Sequence, residues 1–217
     1  MNELQIFDCT QGTPEWYACR LGIPTASEFA TVMAKGKEGG DSKTRRTYML
    51  KLAGERLTQQ PMDNYSNSYM ERGKEMEAEA RDLYAMVSDV EPVQVGFLRR
   101  GDAGASPDSL IGDSGMLEIK TKLAHLQIEC LLSDRLPPEH KAQCQGQLWI
   151  AKREWLDFCS YWPSLPLFCH RVYRDEPYIE RIAAAVDEFN AEMHELIARV
   201  QQYRRAVGAD VRLERIA

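Results

Sequence analysis

The chain has no long apolar run, and nothing in it approaches the roughly 18 consecutive apolar residues that a membrane-spanning helix needs. Its start, "MNELQIFDCTQG", carries neither a basic segment nor an apolar stretch, so no secretion signal is visible and a cytoplasmic location is expected. Cysteine pairs at metal spacing are missing too: Cys9, Cys19, Cys130, Cys144, Cys159 and Cys169 form no C-x-x-C motif. Four of them sit among apolar residues, where cysteine behaves as a small hydrophobe, so buried free thiols are expected. His125, His140, His170 and His194 show no zinc-ligand spacing. An excess of positive charge is also absent, since 27 Lys and Arg against 33 Asp and Glu leave a net charge of −6. This balance argues against a protein that coats nucleic acid nonspecifically, yet it permits an enzyme with a local acidic cluster and a local basic strip.

What is present is an ordinary globular composition, 44% apolar and 28% charged over 217 residues. Such a length suits one α/β-sized unit, a single domain over residues 1–217 with its core at about 15–175. No repeat or linker interrupts it. The glycine-rich "AKGKEGGDSK" (34–43) reads as a basic loop. Thr25 with Glu28 three residues on has the form of a helix capping box. Residues 44–58 and 68–87 read as helices, the second with an apolar stripe through Met76, Ala80, Leu83, Tyr84 and Val87. The period then changes to two. "VEPVQVGFLRR" (90–100), "AGASPDSLIG" and "GMLEIKT" read as strands, the last two joined by a turn at 112–115. Helices follow at 124–133 and 138–152, strands at 155–162 and 167–174, and an amphipathic helix at about 177–203. The expected fold class is α/β, a central mixed sheet flanked by helices.

Within the hairpin, strand alternation puts Glu118 and Lys120 on one face, with Leu117 and Ile119 on the other. The turn returns Asp108 toward Glu118, and Pro107 marks a disrupted edge where that acid can turn inward. Two close carboxylates form a hard-oxygen site for Mg²⁺, and a neighbouring lysine can orient a water or stabilise charge on a phosphate. The D/E-x-K spacing alone is cheap: it also occurs at Asp41–Lys43 and Glu139–Lys141, without apolar strand neighbours. A salt bridge across the hairpin is the competing reading.

At these residues the chain resembles the PD-(D/E)XK nuclease superfamily and, within it, the phage lambda exonuclease family of YqaJ-type viral recombinases. Four blocks carry the resemblance in order: "EWYACRLGIPTASEF" (15–29), "GKEMEAEARDLY" (73–84), "SPDSLI…LEIKTK" and "KAQCQGQLWI" (141–150). The resemblance implies a restriction-endonuclease-like core. It implies Asp108, Glu118 and the backbone carbonyl of Ile119 as metal ligands, Lys120 as the residue that positions the attacking water, and Glu77 as a further acid. A pocket for a terminal 5′-phosphate is implied at Arg20, Ser27, Ser106 and Gln143, and Gln147 shares a helix face with Gln143. Trp16, Lys35, Lys37 and Met70 fall where the family handles the duplex. The implied activity is 5′-to-3′ digestion of one strand of linear double-stranded DNA, with two Mg²⁺ ions that Mn²⁺ can replace. Such enzymes leave a 3′ overhang for recombination, form a homotrimeric ring and work with a single-strand annealing protein. Ser109 and Thr121 depart from residues frequent in the family's central motif. The alternatives are another nuclease of the superfamily, an endonuclease or a Cas4-like enzyme, and a DNA-end-binding recombination protein without hydrolysis.

Overall fold

The computed structural model describes residues 3–36, 42–62 and 68–214. From the N-terminus run strand β1 (Leu4–Phe7), helix α1 (Pro14–Cys19), a 3-10 turn over Ala26–Glu28 that leads into α2 (Phe29–Val32), and α3 (Lys43–Thr58). Helix α4 (Ser68–Ser88) precedes four strands, β2 (Phe97–Arg100), β3 (Ala103–Ala105), β4 (Ser109–Ile111) and β5 (Gly115–Thr121). Helix α5 (Ala124–Ser133) comes next, followed by a 3-10 turn over Pro138–His140 that continues into α6 (Lys141–Ala151). Strands β6 (Trp155–Tyr161) and β7 (Phe168–Tyr173) and the long helix α7 (Glu176–Glu214) complete the chain.

The strands form two sheets. One is antiparallel, in the order β1-β2-β3; the other is mixed, in the order β4-β5-β6-β7, with only the β5–β6 pair parallel. The mixed sheet and its flanking helices are the expected class. The three-stranded sheet refines it, and its physical cause is Pro107. The run "AGASPDSLIG", expected as one strand, breaks around this proline into β3 and β4, one in each sheet. Upstream, only Phe97–Arg100 of the 90–100 segment pairs continuously, and Val93 makes an isolated bridge to Leu110.

Three further expectations change. Thr25 does precede a helical turn, but its side chain makes no capping bond, so the capping box with Glu28 does not form. Its hydroxyl lies 3.2 Å from Ser27 Oγ instead. The terminal helix is longer than expected, reaching Glu214. Finally, Cys159 and Cys169 are not free thiols. They stand opposite each other across β6–β7 with Cα atoms 4.3 Å apart, and they form a disulfide. Cys9, Cys19, Cys130 and Cys144 are free.

Two apolar clusters lie on opposite faces of the mixed sheet. Met116, Leu156 and Phe158 join the larger one with Phe29, Leu148 of α6 and Phe189 of α7. Leu117, Ile119 and Cys159 join the smaller one with Met76, Ala80 and Tyr84 of α4. The strand period of two thus supplies both cores from the same two strands. Helix α4 is tied down by a polar strut: Tyr84 Oη donates to Asp157 Oδ2 at 2.6 Å, and Arg171 grips Asp157 with two bonds of 2.8 Å. Among the described residues no helix is long and apolar enough to cross a membrane.

Candidate active site

The chain leaves the three-stranded sheet at Ala105 and enters the mixed sheet at Ser109, so Ser106, Pro107 and Asp108 span the gap between the sheets. Gln11 pins this crossing: its amide donates to Val95 O and Pro107 O, each at 3.0 Å. Asp108 is the last residue before β4, and its N–H donates to Leu117 O at 3.1 Å. Its side chain turns toward β5, where Oδ2 accepts the Ile119 N–H at 2.5 Å. The expected return of Asp108 to the Glu118 strand is what the hairpin produces.

Glu118 is only 2% exposed, and three donors hold its carboxylate. Oε1 accepts from Gln143 Nε2 at 2.6 Å and lies 2.5 Å from Lys120 Nζ, while Oε2 accepts from Gln147 Nε2 at 2.5 Å. The two glutamines are one turn apart on α6, which is why both reach the same carboxylate. Gly146 lies between them in sequence. A Cβ there would meet Phe29 Cδ2 at 2.4 Å, so the glycine lets α6 approach the turn that carries Ser27.

Arg20, Ser27 and Ser106 are brought to the same place. Together with Asp108, Glu118, Lys120 and Gln143 they line one cleft of about 200 Å³, whose wall Gln11, Trp16, Thr25 and Gln147 complete. The Arg20 guanidinium lies 4.0 Å above the Trp16 ring and donates to Thr25 Oγ1 at 3.4 Å. Trp16 Nε1 donates to Ser106 Oγ at 2.9 Å and to Gly96 O at 3.1 Å. Trp16 is therefore a half-buried wall of this cleft and no member of either apolar cluster. A second cleft, about 680 Å³, meets the first at Gln11, Trp16 and Asp108. Glu77 lies in this second cleft, ion-paired with Arg81 of the next helical turn. Lys35 is exposed and lines neither cleft. Lys37 lies outside the described residues, as does the side chain of Met70, whose backbone belongs to α4.

The electrostatics show carboxylates in excess. Burial, then the charges of Glu118 and Glu77, push Asp108 well above the usual carboxylate range, and the Ile119 N–H only partly opposes them. Burial also raises Glu77, against the pull of Arg81. Burial would lower Lys120, but Glu118 and then Asp108 outweigh it and hold the ammonium above its ordinary value. Among the described residues no three His, Cys, Asp or Glu side chains converge as a ready-made ligand set. The donors that do converge, Asp108 and Glu118, still fit Mg²⁺, which takes one or two carboxylates and keeps several waters. Raised proton affinity at Asp108 fits the same ion, because a cation relieves the same repulsion that a proton does.

Gln143 lines the cleft together with Arg20, Ser27 and Ser106, and its amide is engaged by Glu118. Gln11 was missed, as a lone glutamine in an N-terminal loop carries no local signal. Arg81 was missed despite its legible i, i+4 spacing from Glu77.

A family model for the YqaJ-like viral recombinase domain matches residues 15–154. No curated protein sequence matches the chain. Among solved structures, the chain is similar to the alkaline exonuclease LHK-Exo from Laribacter hongkongensis, with 35% identity and a TM-score of 0.82, over 90% of this chain and 100% of that one. A structure of LHK-Exo in complex with dAMP matches at 36% identity with the same TM-score and coverage. A phage-related exonuclease from Haemophilus somnus shares the fold at 14% identity, with a TM-score of 0.63 over 82% of this chain and 96% of that one. The mixed α/β architecture is that of PD-(D/E)XK exonucleases, and the chain belongs to the YqaJ-like viral recombinase domain family.

Proposed function

We propose that this protein is a metal-dependent 5′-to-3′ exonuclease that digests one strand of linear double-stranded DNA from a 5′-phosphorylated end. The observation that carries this reading is the shared cleft: the acids and Lys120 meet the Arg20, Ser27 and Ser106 side chains in a single cavity. The family and the likeness to an alkaline exonuclease support it. So does the dAMP held by LHK-Exo, a nucleoside monophosphate of the kind such a reaction releases.

Asp108 and Glu118 would hold the divalent cations, with the Ile119 carbonyl beside them. Bound there, Mg²⁺ supplies a Lewis acid for a phosphate oxygen and lowers the pKa of a water. Arg20 receives the terminal 5′-phosphate with the bidentate geometry of a guanidinium, and the Ser27 and Ser106 hydroxyls add neutral donors. Lys120, kept charged by Glu118, orients the attacking water and stabilises charge that builds on the phosphate. Glu77 contributes from the second cleft by orienting solvent. The water oxygen bonds to phosphorus as the P–O3′ bond breaks. A 5′-mononucleotide leaves, and the shortened strand carries a new 5′-phosphate for the next cycle. The protein then acts as a homotrimeric ring in the cytoplasm and leaves a 3′ overhang for a single-strand annealing protein. Its single nuclease domain spans residues 1–217.

The test is a linear duplex with one 5′-phosphorylated and one 5′-hydroxyl end, incubated with Mg²⁺ or EDTA. Mononucleotides should come first from the phosphorylated end and only with Mg²⁺. Arg20→Ala should erode the preference between ends by about tenfold while leaving the fold intact. Cleavage of circular DNA, or equal attack on both ends by the wild type, would overturn the exonuclease assignment or its phosphate pocket respectively.

A further inference from the structure

We infer that Gln147 is a positioning residue for Glu118, fixing the carboxylate through which that acid would hold a divalent cation. The inference rests on the metal-dependent reading above and concerns a residue to which that reading gives no role.

Gln147 is 1% exposed, and its two amide atoms are in opposite situations. Nε2 donates to Glu118 Oε2 at 2.5 Å. Oε1 is buried without a hydrogen-bond partner, on a side chain that lines the cleft. The orientation is fixed, because turning the amide over would set one acceptor against another at Glu118. A buried acceptor left unpaired is costly, and a methionine of similar length avoids that cost. An amide kept there at such a cost is kept for the bond that its N–H makes.

The donors around Glu118 divide between its two oxygens. Gln143 and Lys120 both engage Glu118 Oε1, so Gln147 is the side chain that fixes Oε2. Without it the carboxylate can turn about its broad terminal torsion. Gln147 thus sets the direction in which the Glu118 carboxylate faces the cleft that both residues line.

The test compares the wild type with Gln147→Met, which removes donor and acceptor, and Gln147→Glu, which keeps an oxygen but loses the N–H. Mn²⁺ affinity is read from the electron paramagnetic resonance of the free ion, Tm in EDTA from thermal melts, and kcat and KM from release on a 5′-phosphorylated linear duplex. Gln147→Met should keep or raise Tm, weaken Mn²⁺ binding by about tenfold or more, and lower kcat with KM little changed. Gln147→Glu should lose at least as much affinity. Mn²⁺ affinity within about twofold of wild type in both variants would overturn the inference alone, whatever happens to Tm. A wild-type protein that binds no Mn²⁺ would instead overturn the nuclease reading, and this inference with it.

Discussion

At the middle of β5 the two faces are buried almost equally and differ in chemistry. Toward α4, Leu117 is fully buried and Ile119 is 5% exposed among apolar neighbours. Toward α6, Glu118 is 2% exposed, yet it is an acid held by two amides and an ammonium. Burying the apolar face stabilises the fold, at about 25 cal/mol for each Å² removed from water. Burying the acid works against the fold unless its oxygens are bonded, which is why three donors surround one carboxylate. The comparison separates two tasks at the middle of the strand: Leu117 and Ile119 help the sheet cohere, while Glu118, beside the apolar Met116 of the same face, places charge where water is scarce.

Substitutions can break this division, and the largest effect belongs to the polar face. Lys120→Ala should lower nucleotide release on the order of a thousandfold, while a DNA-binding assay and the Tm change little. A large drop in Tm would make Lys120 a structural residue. Leu117→Ala, one register step into the other face, should do the reverse. It should cost about 3 kcal/mol in denaturant unfolding, while activity per folded molecule stays near wild type.

A pH series sharpens the contrast. Asp108 has a folded-state proton affinity raised above its ordinary value of 3.8. Its contribution to stability is therefore fully present below that value and is lost as pH rises through the raised one. In EDTA, Asp108→Asn should gain on the wild type as the pH climbs from 4 toward neutrality, measured as urea midpoints. A difference that stays flat with pH would show that the acid is not strained by its neighbours. The smallest effect is expected at the strut on the apolar side. Tyr84→Phe removes one bond to Asp157, which Arg171 still grips, and should cost about 1 kcal/mol without touching turnover.

Much of this site was legible because it is local. Leu117, Glu118, Ile119 and Lys120 alternate in sequence as they do in space, and the turn at Gly112 brings Asp108 alongside within eleven residues of Ile119. Gln143 and Gln147 announce a shared helix face by their spacing. That they share one carboxylate was not legible, since it depends on how closely α6 approaches β5, which no spacing within α6 reveals. Strand β1 was invisible for another reason: it is four residues long, with two of them exposed and two half-buried, and "LQIF" shows no strict apolar alternation to detect. The Cys159–Cys169 pair likewise depends on the register of β6 on β7, which no spacing of cysteines reveals. The break at Pro107 was half read, as a disturbed edge but not as a passage between sheets.

The bond from the Ile119 N–H to Asp108 has a consequence for how ions are received. One acid is fastened to the main chain of the strand that bears the other, so the span between them follows from a peptide plane and not from freely turning side chains. On the metal-dependent reading proposed above, a cation would meet a carboxylate whose rotational freedom was surrendered when the hairpin folded, a loss of roughly 1 kcal/mol that binding need not repeat.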